Sequence, residues 1–280
     1  MKTGAELKTQ NSELRTPNFK KRNCMKFIDF QNITVIREKK RILDSVNLSI
    51  SDGEHTAILG PNGSGKSTLI KLMTREIYPY NMEPNVFTIF GETTWNIQTL
   101  RSSLGIVSDS MALFANPEET CFEIVASCFY NAMNLNKLEV DEKNAQKAVE
   151  YLDFMEVGHL KNRLISEVSS GEARRVFIAR ALAHEPKSLM LDEPTNSLDI
   201  NAMRKFRVLM SKIAKNGVTL IISTHTMQDI VPEVKNVVML KDGKVFLAGL
   251  KKDILTEKNL SELFDTPVKL IESDGHYYTV

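Results

Sequence analysis

The short apolar run His55-Thr56-Ala57-Ile58-Leu59 passes directly into Gly60-Pro61-Asn62-Gly63-Ser64-Gly65-Lys66-Ser67-Thr68, and then into Leu69-Ile70-Lys71-Leu72-Met73. The first part reads as a buried strand, and Leu69, Leu72 and Met73 share one face of a helix. Between them the residues fit G-x-x-x-x-G-K-[ST] in strand, loop, helix context. That arrangement points backbone N–H groups and the positive end of a helix dipole at one place, which suits a phosphate. A side chain at Gly63 or Gly65 would obstruct the close approach and the unusual dihedrals such a loop needs. Lys66 is placed to contact β- and γ-phosphates, and the Ser67 hydroxyl to ligate Mg²⁺. The plain alternative is an ordinary glycine turn, against which the flanking strand and helix weigh.

Outward from this loop, residues 26–36 (KFIDFQNITVI) and 41–50 (RILDSVNLSI) alternate apolar and polar positions, as half-buried antiparallel strands do. Residues from about 109 to 163 are rich in helix formers, with an amphipathic segment at 141–157, and read as a helical insertion. SGEARRVFIARALAHE (170–185) reads as a helix stopped by Pro186, and SLMLDEP (188–194) as a buried strand ending in carboxylates. A helix is expected from about Ala202 to Lys215, then a buried strand, VTLIIS (218–223). Hairpins are expected around Asp242-Gly243 and Asp274-Gly275, with one helix over 251–264 between them. Strands alternating with helices imply an α/β fold with a mostly parallel sheet.

Three further elements converge on the phosphate loop. In open α/β sheets ligands sit beyond the carboxyl ends of the strands, where Asp192 and Glu193 end an apolar strand. Asp192 would hold Mg²⁺, and Glu193 would act as general base toward an attacking water. His225 follows Thr224 at the end of VTLIIS, where an imidazole could bond the γ-phosphate. Val168-Ser169-Ser170-Gly171-Glu172-Ala173-Arg174-Arg175 opens the long helix, and Ser169 with Glu172 also fits a capping box.

These motifs, in this order, resemble the ATP-binding cassette (ABC) ATPase family across nearly all of residues 25–250. Gly60 to Thr68 is similar to its Walker A loop, Leu189 to Glu193 to Walker B, VSSGEARR (168–175) to its signature, Ser197-Leu198-Asp199 to its D-loop and His225 to its switch histidine. The resemblance implies a P-loop NTPase fold: a RecA-like core with a mostly parallel sheet, an antiparallel β subdomain and a helical subdomain carrying the signature, about 109–170. It implies ATP held by Gly60, Pro61, Asn62, Gly63, Ser64, Gly65, Lys66, Ser67 and Thr68. It also implies a head-to-tail dimer, in which Ser169 and Gly171 of one protomer, with Asp199 nearby, close on the γ-phosphate held by Lys66 of the other. Three departures stand out. The adenine-stacking aromatic is absent, and Arg37 is the nearest equivalent, since a guanidinium plane can stack on a base. Ser108-Asp109 stands where the family has Pro-Gln, leaving Asp109 to meet Mg²⁺. Val168 and Ser170 replace the usual Leu and first Gly of the signature. Some stretches look like the branch labelled molybdate-transport or photorepair ATPases.

The expected function is an Mg²⁺-dependent ATPase subunit, a homodimer or paired with a related ATPase, whose ATP-driven closure powers a separate membrane permease. A soluble regulatory or repair ATPase without a permease is the alternative, and an ATP-binding switch with poor hydrolysis a third reading. Composition agrees with a folded chain: 280 residues, 42% hydrophobic and 25% charged, with a formal charge of +1 that supplies no global field for nucleic acid, so no specific nucleic-acid binding is indicated. Three cysteines, Cys24, Cys121 and Cys128, form no CxxC pair, and a reducing cytoplasm is expected; a permease would put the chain on the inner face of the cell membrane. Cys121 and Cys128, seven apart, are expected on one buried helical face. Residues 1–24 read as a disordered basic tail, 25–250 as the ATP-binding domain and 251–280 as a helix-and-hairpin extension.

Overall fold

The computed structural model of the protein describes residues 26–80, 86–108, 111–136, 138–196 and 198–279. The expectations for the basic tail, Asp109 and Ser197 lie outside the described residues. Strands β1 (Lys26–Arg37) and β2 (Lys40–Ser51) pair antiparallel. A two-residue turn joins them, with Glu38 and Lys39 at φ 48° and 65°, the doubly left-handed geometry that matches the twist of a hairpin. β3 (Thr56–Leu59) leads through the glycine-rich loop into α1 (Lys66–Met73), and β4 (Val86–Ile89) returns to pair with β1 in a sheet ordered β2-β1-β4.

Helix α2 (Ile97–Ser103), β5 (Leu104–Val107), α3 (Met111–Phe114), α4 (Cys121–Ala126), α5 (Glu142–Phe154) and α6 (Ser170–Leu182) follow. Then come β6 (Ser188–Asp192), α7 (Ile200–Lys215), β7 (Thr219–Thr224) and the hairpin β8 (Asn236–Lys241) with β9 (Lys244–Leu250). The chain closes with α8 (Lys251–Ile254), α9 (Glu257–Phe264) and the hairpin β10 (Leu270–Ser273) with β11 (His276–Thr279). The main sheet has six strands in the order β5-β6-β7-β3-β8-β9, parallel except for β9.

Period-two alternation along the central strands builds two cores, one on each face. Ala57, Leu59, Leu189, Leu191, Leu220, Ile222, Val237 and Met239 join the cluster that holds the buried residues of α4, α5, α6 and α7. Ile58, Met190, Ile221, Val238 and Leu240 join the other, with α1 and the antiparallel sheet. Both faces are covered, so the central strands read as continuous apolar runs.

Local chemistry moves several expected boundaries. Helix α7 starts at Ile200 rather than Ala202, because the Asp199 carboxylate caps it by accepting from Ala202 N at 2.8 Å. The expected single helix over 251–264 is broken in two at Leu255-Thr256: Leu255 is buried, and the Thr256 hydroxyl caps α9 by accepting from Asn259 N. Cys121 opens α4 and Cys128 lies in the 3-10 turn Ser127–Tyr130, so the pair does not share one continuous helix. Both thiols are free and buried, and burial pushes them up to about 11 and about 12.

Leu69 of α1 is fully buried in the cluster beneath the antiparallel sheet. Leu69→Ala is expected to cost about 2–5 kcal/mol in denaturant unfolding. A loss below about 1 kcal/mol would contradict this packing of α1 on the sheet.

Candidate functional site

Strand β7 lies between β3 and β6, and each pairing extends one rung past the strand ends. Gly60 N donates to Thr224 O at 3.2 Å on one side, and Glu193 N donates to Ser223 O at 2.8 Å on the other. The glycine-rich loop and the Asp192-Glu193 pair therefore flank Thr224-His225. This is the open α/β crevice at the carboxyl ends of the strands.

Gly65 caps α1 at φ 102°, and a Cβ there would stand 2.7 Å from Leu43 Cδ2 and 3.1 Å from Ile42 O, so both conformation and space require glycine. Lys66 is 4% exposed. Its ammonium donates to Gly60 O at 2.9 Å and Pro61 O at 3.0 Å, and pairs with Glu193 Oε1 at 3.2 Å. The other oxygen of Glu193 lies 3.0 Å from His225 Nδ1. Glu193 takes φ 46°, a left-handed conformation rare for a residue with a side chain, so backbone strain helps aim its carboxylate.

Several groups in this crevice fit a magnesium nucleotide. Ser64 is buried and its Oγ has no hydrogen-bond partner, a polar atom in the loop that a phosphate oxygen or water would satisfy. Ser67 is exposed, and Asp192 is anchored by accepting from Ser223 Oγ at 2.7 Å. Among the described residues no group of three His, Cys, Asp or Glu could hold a metal ion. One hydroxyl and one carboxylate suit a Mg²⁺ that takes its remaining ligands from phosphates and water.

The remaining sequence candidates lie elsewhere. Ser169, Gly171 and Asp199 line a separate cavity of about 150 Å³ with Arg175 and Lys205, a lining that includes no residue of Gly60–Thr68, nor Glu193 or His225. The Ser169 hydroxyl donates to Glu172 Oε2 at 2.7 Å and accepts from Glu172 N, completing the capping box and holding the Glu172 carboxyl below its ordinary value. Arg37 is exposed, opposite Lys40 at the hairpin turn.

Sequence reasoning missed two supports of this site. The turn between β8 and β9 touches the phosphate loop: Gly243 N donates to Ser64 O at 3.1 Å, while Gly243 O accepts from Asp44 N at 2.9 Å. Asp229, 3% exposed, accepts from Thr195 Oγ1 at 2.7 Å and from Thr224 Oγ1 at 2.6 Å. Burial pushes its carboxyl up, while these hydroxyls, Arg207 and His225 pull it back. The Asp-Gly turn signal was visible at 242–243, but its contact with a loop some 180 residues earlier was not. No motif marks Asp229.

The family model for ABC transporters matches residues 43–196. The energy-coupling factor transporter ATP-binding protein EcfA2 of Streptococcus agalactiae is 33% identical over 246 residues, 84% of this chain and 85% of that one. Among solved structures, cbiO1 from Clostridium perfringens, part of the ABC transporter complex cbiONQ, is 29% identical with a TM-score of 0.71, covering 85% of this chain and 94% of that one. An ATP-binding cassette captured as a dimer in a post-hydrolysis state with ADP and Pi is 26% identical with a TM-score of 0.65, covering 80% of this chain and 98% of that one.

Gly243 sits at φ 74°, and a Cβ there would lie 2.4 Å from Ile42 O, a backbone atom that cannot step aside alone. Gly243→Ala is expected to destabilise the fold by about 2 kcal/mol and to weaken nucleotide binding, because the turn braces Ser64. Thermal unfolding and nucleotide titration check both effects; a variant unchanged in each contradicts the bracing.

Proposed function

The chain belongs to the ABC transporter family, and we propose that it works as the ATP-driven subunit of a transporter whose membrane permease is a separate chain. It is an ATPase, converting ATP and water to ADP and phosphate. The observation that carries the residue assignments is the unbroken contact from Lys66 through Glu193 to His225.

A γ-phosphate entering the loop offers Lys66 an anionic acceptor to replace Glu193, and charge-assisted bonds to phosphate are the strong kind. Glu193, released from that ion pair, takes a proton from the attacking water as general base. His225 keeps the carboxylate oriented and reaches the γ-phosphate. Ser67 and Asp192 would hold Mg²⁺, which, when bound, neutralises charge on the β- and γ-phosphate oxygens. The backbone N–H groups of the loop and the start of α1 receive the remaining phosphate oxygens. Arg37 stacks on the base, at the free end of the β1–β2 hairpin.

The cavity at Ser169, Gly171 and Asp199 lacks the phosphate-loop residues, so a complete site takes two protomers. A second copy or a related ATPase supplies Ser169 and Gly171, at the positive end of α6, to the nucleotide held by Lys66. Asp109 is proposed as an additional group toward Mg²⁺. We divide the chain into the ATP-binding domain at 25–250, with its helical part at about 109–170, and an extension at 251–280.

The permease is assigned to a cleft of about 570 Å³ beside edge strand β5, lined by Ile70, Ile106, Met111, Phe114 and Met133 together with Arg180 and His184. Phe114 is 68% exposed there, an apolar side chain that a partner would cover. Among the described residues no helix is long and apolar enough to cross a membrane, so a permease partner would bring this chain to the inner face of the cell membrane. Ser108 lines this cleft, and the replacement in sequence of the family's Pro-Gln by Ser108-Asp109 favours the second reading, a regulatory or repair ATPase without a permease.

Glu193→Gln is expected to bind MgATP, to cut phosphate release at least about 100-fold and to accumulate as a nucleotide-bound dimer on size exclusion. Undiminished phosphate release removes Glu193 as the base. Recovered from its own cells with ATP, the same variant should carry a polytopic membrane protein in stoichiometric amount; a soluble dimer without one supports the second reading. Arg37→Ala should weaken ATP affinity about 3- to 10-fold with no change in Tm, and an unchanged Kd rules out the stacking role.

A further inference from the structure

The pair Glu193 and His225 is held from behind by a buried carboxylate. Asp229 ends the 3-10 turn Met227–Asp229, four residues beyond His225, and it spans two segments. Its Oδ2 accepts from Thr224 Oγ1 at 2.6 Å, and Thr224 immediately precedes His225. Its Oδ1 accepts from Thr195 Oγ1 at 2.7 Å, and Thr195 follows Glu193 with only Pro194 between. The Thr224 hydroxyl is fixed from both directions: it also accepts from Thr226 N at 2.9 Å, on the other side of His225. The proton of that hydroxyl has a second acceptor, Thr226 O at 3.3 Å, but the Asp229 bond is much the shorter.

We infer that Asp229 is a positioning residue for ATP hydrolysis: by bridging Thr195 and Thr224, it fixes the separation of the Glu193 carboxylate from the His225 imidazole. The inference rests on the assignment of Glu193 and His225 to the reaction, made above. Asp229 itself is buried, 3% exposed. The rung from Glu193 N to Ser223 O fixes the backbone near the strand ends. Beyond that rung the Asp229 bridge ties the two segments again, in addition to the direct contact of Glu193 with His225.

Two observations set this bridge apart from ordinary packing. Among the described residues the Asp229 side chain is hydrogen-bonded by two hydroxyls, with Arg207 and His225 acting on it through charge, and such a buried carboxylate is a poor stability device because an apolar group of the same shape avoids its desolvation cost. The bridge is also covered. The C-terminal hairpin packs on the turn Met227–Asp229, Tyr277 is 5% exposed, and the Lys251 ammonium donates to Val231 O and Gly275 O at 3.3 Å each. Thr224 and Thr195 are themselves buried, so little water competes for the two hydroxyls.

The test compares four variants of the full chain with the parent, measuring kcat and KM for ATP, ATP affinity and Tm. Asp229→Ala should lower kcat about 10- to 100-fold, the scale expected when a catalytic pair is displaced by about an ångström, while ATP affinity stays within about 2-fold. Asp229→Asn should recover most of the rate, since an amide can accept from one threonine and donate to the other. Thr195→Val removes one of the two bonds with little change in shape, and should lower kcat about 3- to 10-fold without moving affinity; it decides the matter if Asp229→Ala fails to fold. Parental kcat in Asp229→Ala or Thr195→Val overturns the inference, as does a parallel loss of kcat, affinity and Tm, which marks a merely structural role. His225→Ala is the reference. If it keeps parental turnover, the parent assignment fails and this inference with it.

Discussion

A buried ammonium organises this molecule. Lys66 reaches from the first turn of α1 back into the loop that precedes it, and its three acceptors are two loop carbonyls and the Glu193 carboxylate. An ammonium taken from water needs such a shell, and an ion pair of this kind returns little net stability once desolvation is counted. Its value lies in exchange. Two of the three acceptors belong to the loop and stay; the third belongs to a side chain that has other uses. A phosphate that takes the third place releases a carboxylate already in contact with an imidazole.

The sheet order makes this exchange possible. Lys66 follows β3, Glu193 follows β6 and His225 follows β7, and β7 runs between the other two. Parallel strands deliver all three carboxyl ends to one edge of the sheet, and single backbone rungs beyond the strands hold the loops in register. The turn at Gly243 and the carboxylate of Asp229 then support the site from outside, one beneath the phosphate loop and one behind the two strand ends. Part of the energy available from folding is thereby committed to geometry at this edge: a left-handed Glu193, a left-handed Gly65 and an Asp229 whose ionised form burial disfavours.

What was legible in the sequence follows from range. Gly60 to Ser67 declares itself because a tight loop, a cation and a helix start must all be met within a few residues. The central strands declared themselves as apolar runs, since both faces of the sheet are covered. Ser169 and Glu172 were legible as a cap and are one; the same atoms leave their nucleotide role a matter of a second protomer. Contacts between distant segments left no local trace. Thr195 and Asp229 are 34 residues apart in the chain, and neither residue type in isolation points to the other. The break between α8 and α9 escaped because Leu255 and Thr256 suit a helix well enough by propensity, while burial of Leu255 and the Thr256 cap decide otherwise. Cys121 and Cys128 kept their buried character but not a shared helix, since the backbone tightens to a 3-10 turn before the second.

The most direct test of this account is calorimetric titration of MgATP into the Lys66→Ala chain beside the parent, with unfolding curves for both. If Lys66 is the cation that trades Glu193 for phosphate, the variant stays folded and loses ATP affinity by about 10- to 100-fold, the worth of one charge-assisted hydrogen bond. A folded variant that binds MgATP as the parent does would contradict it.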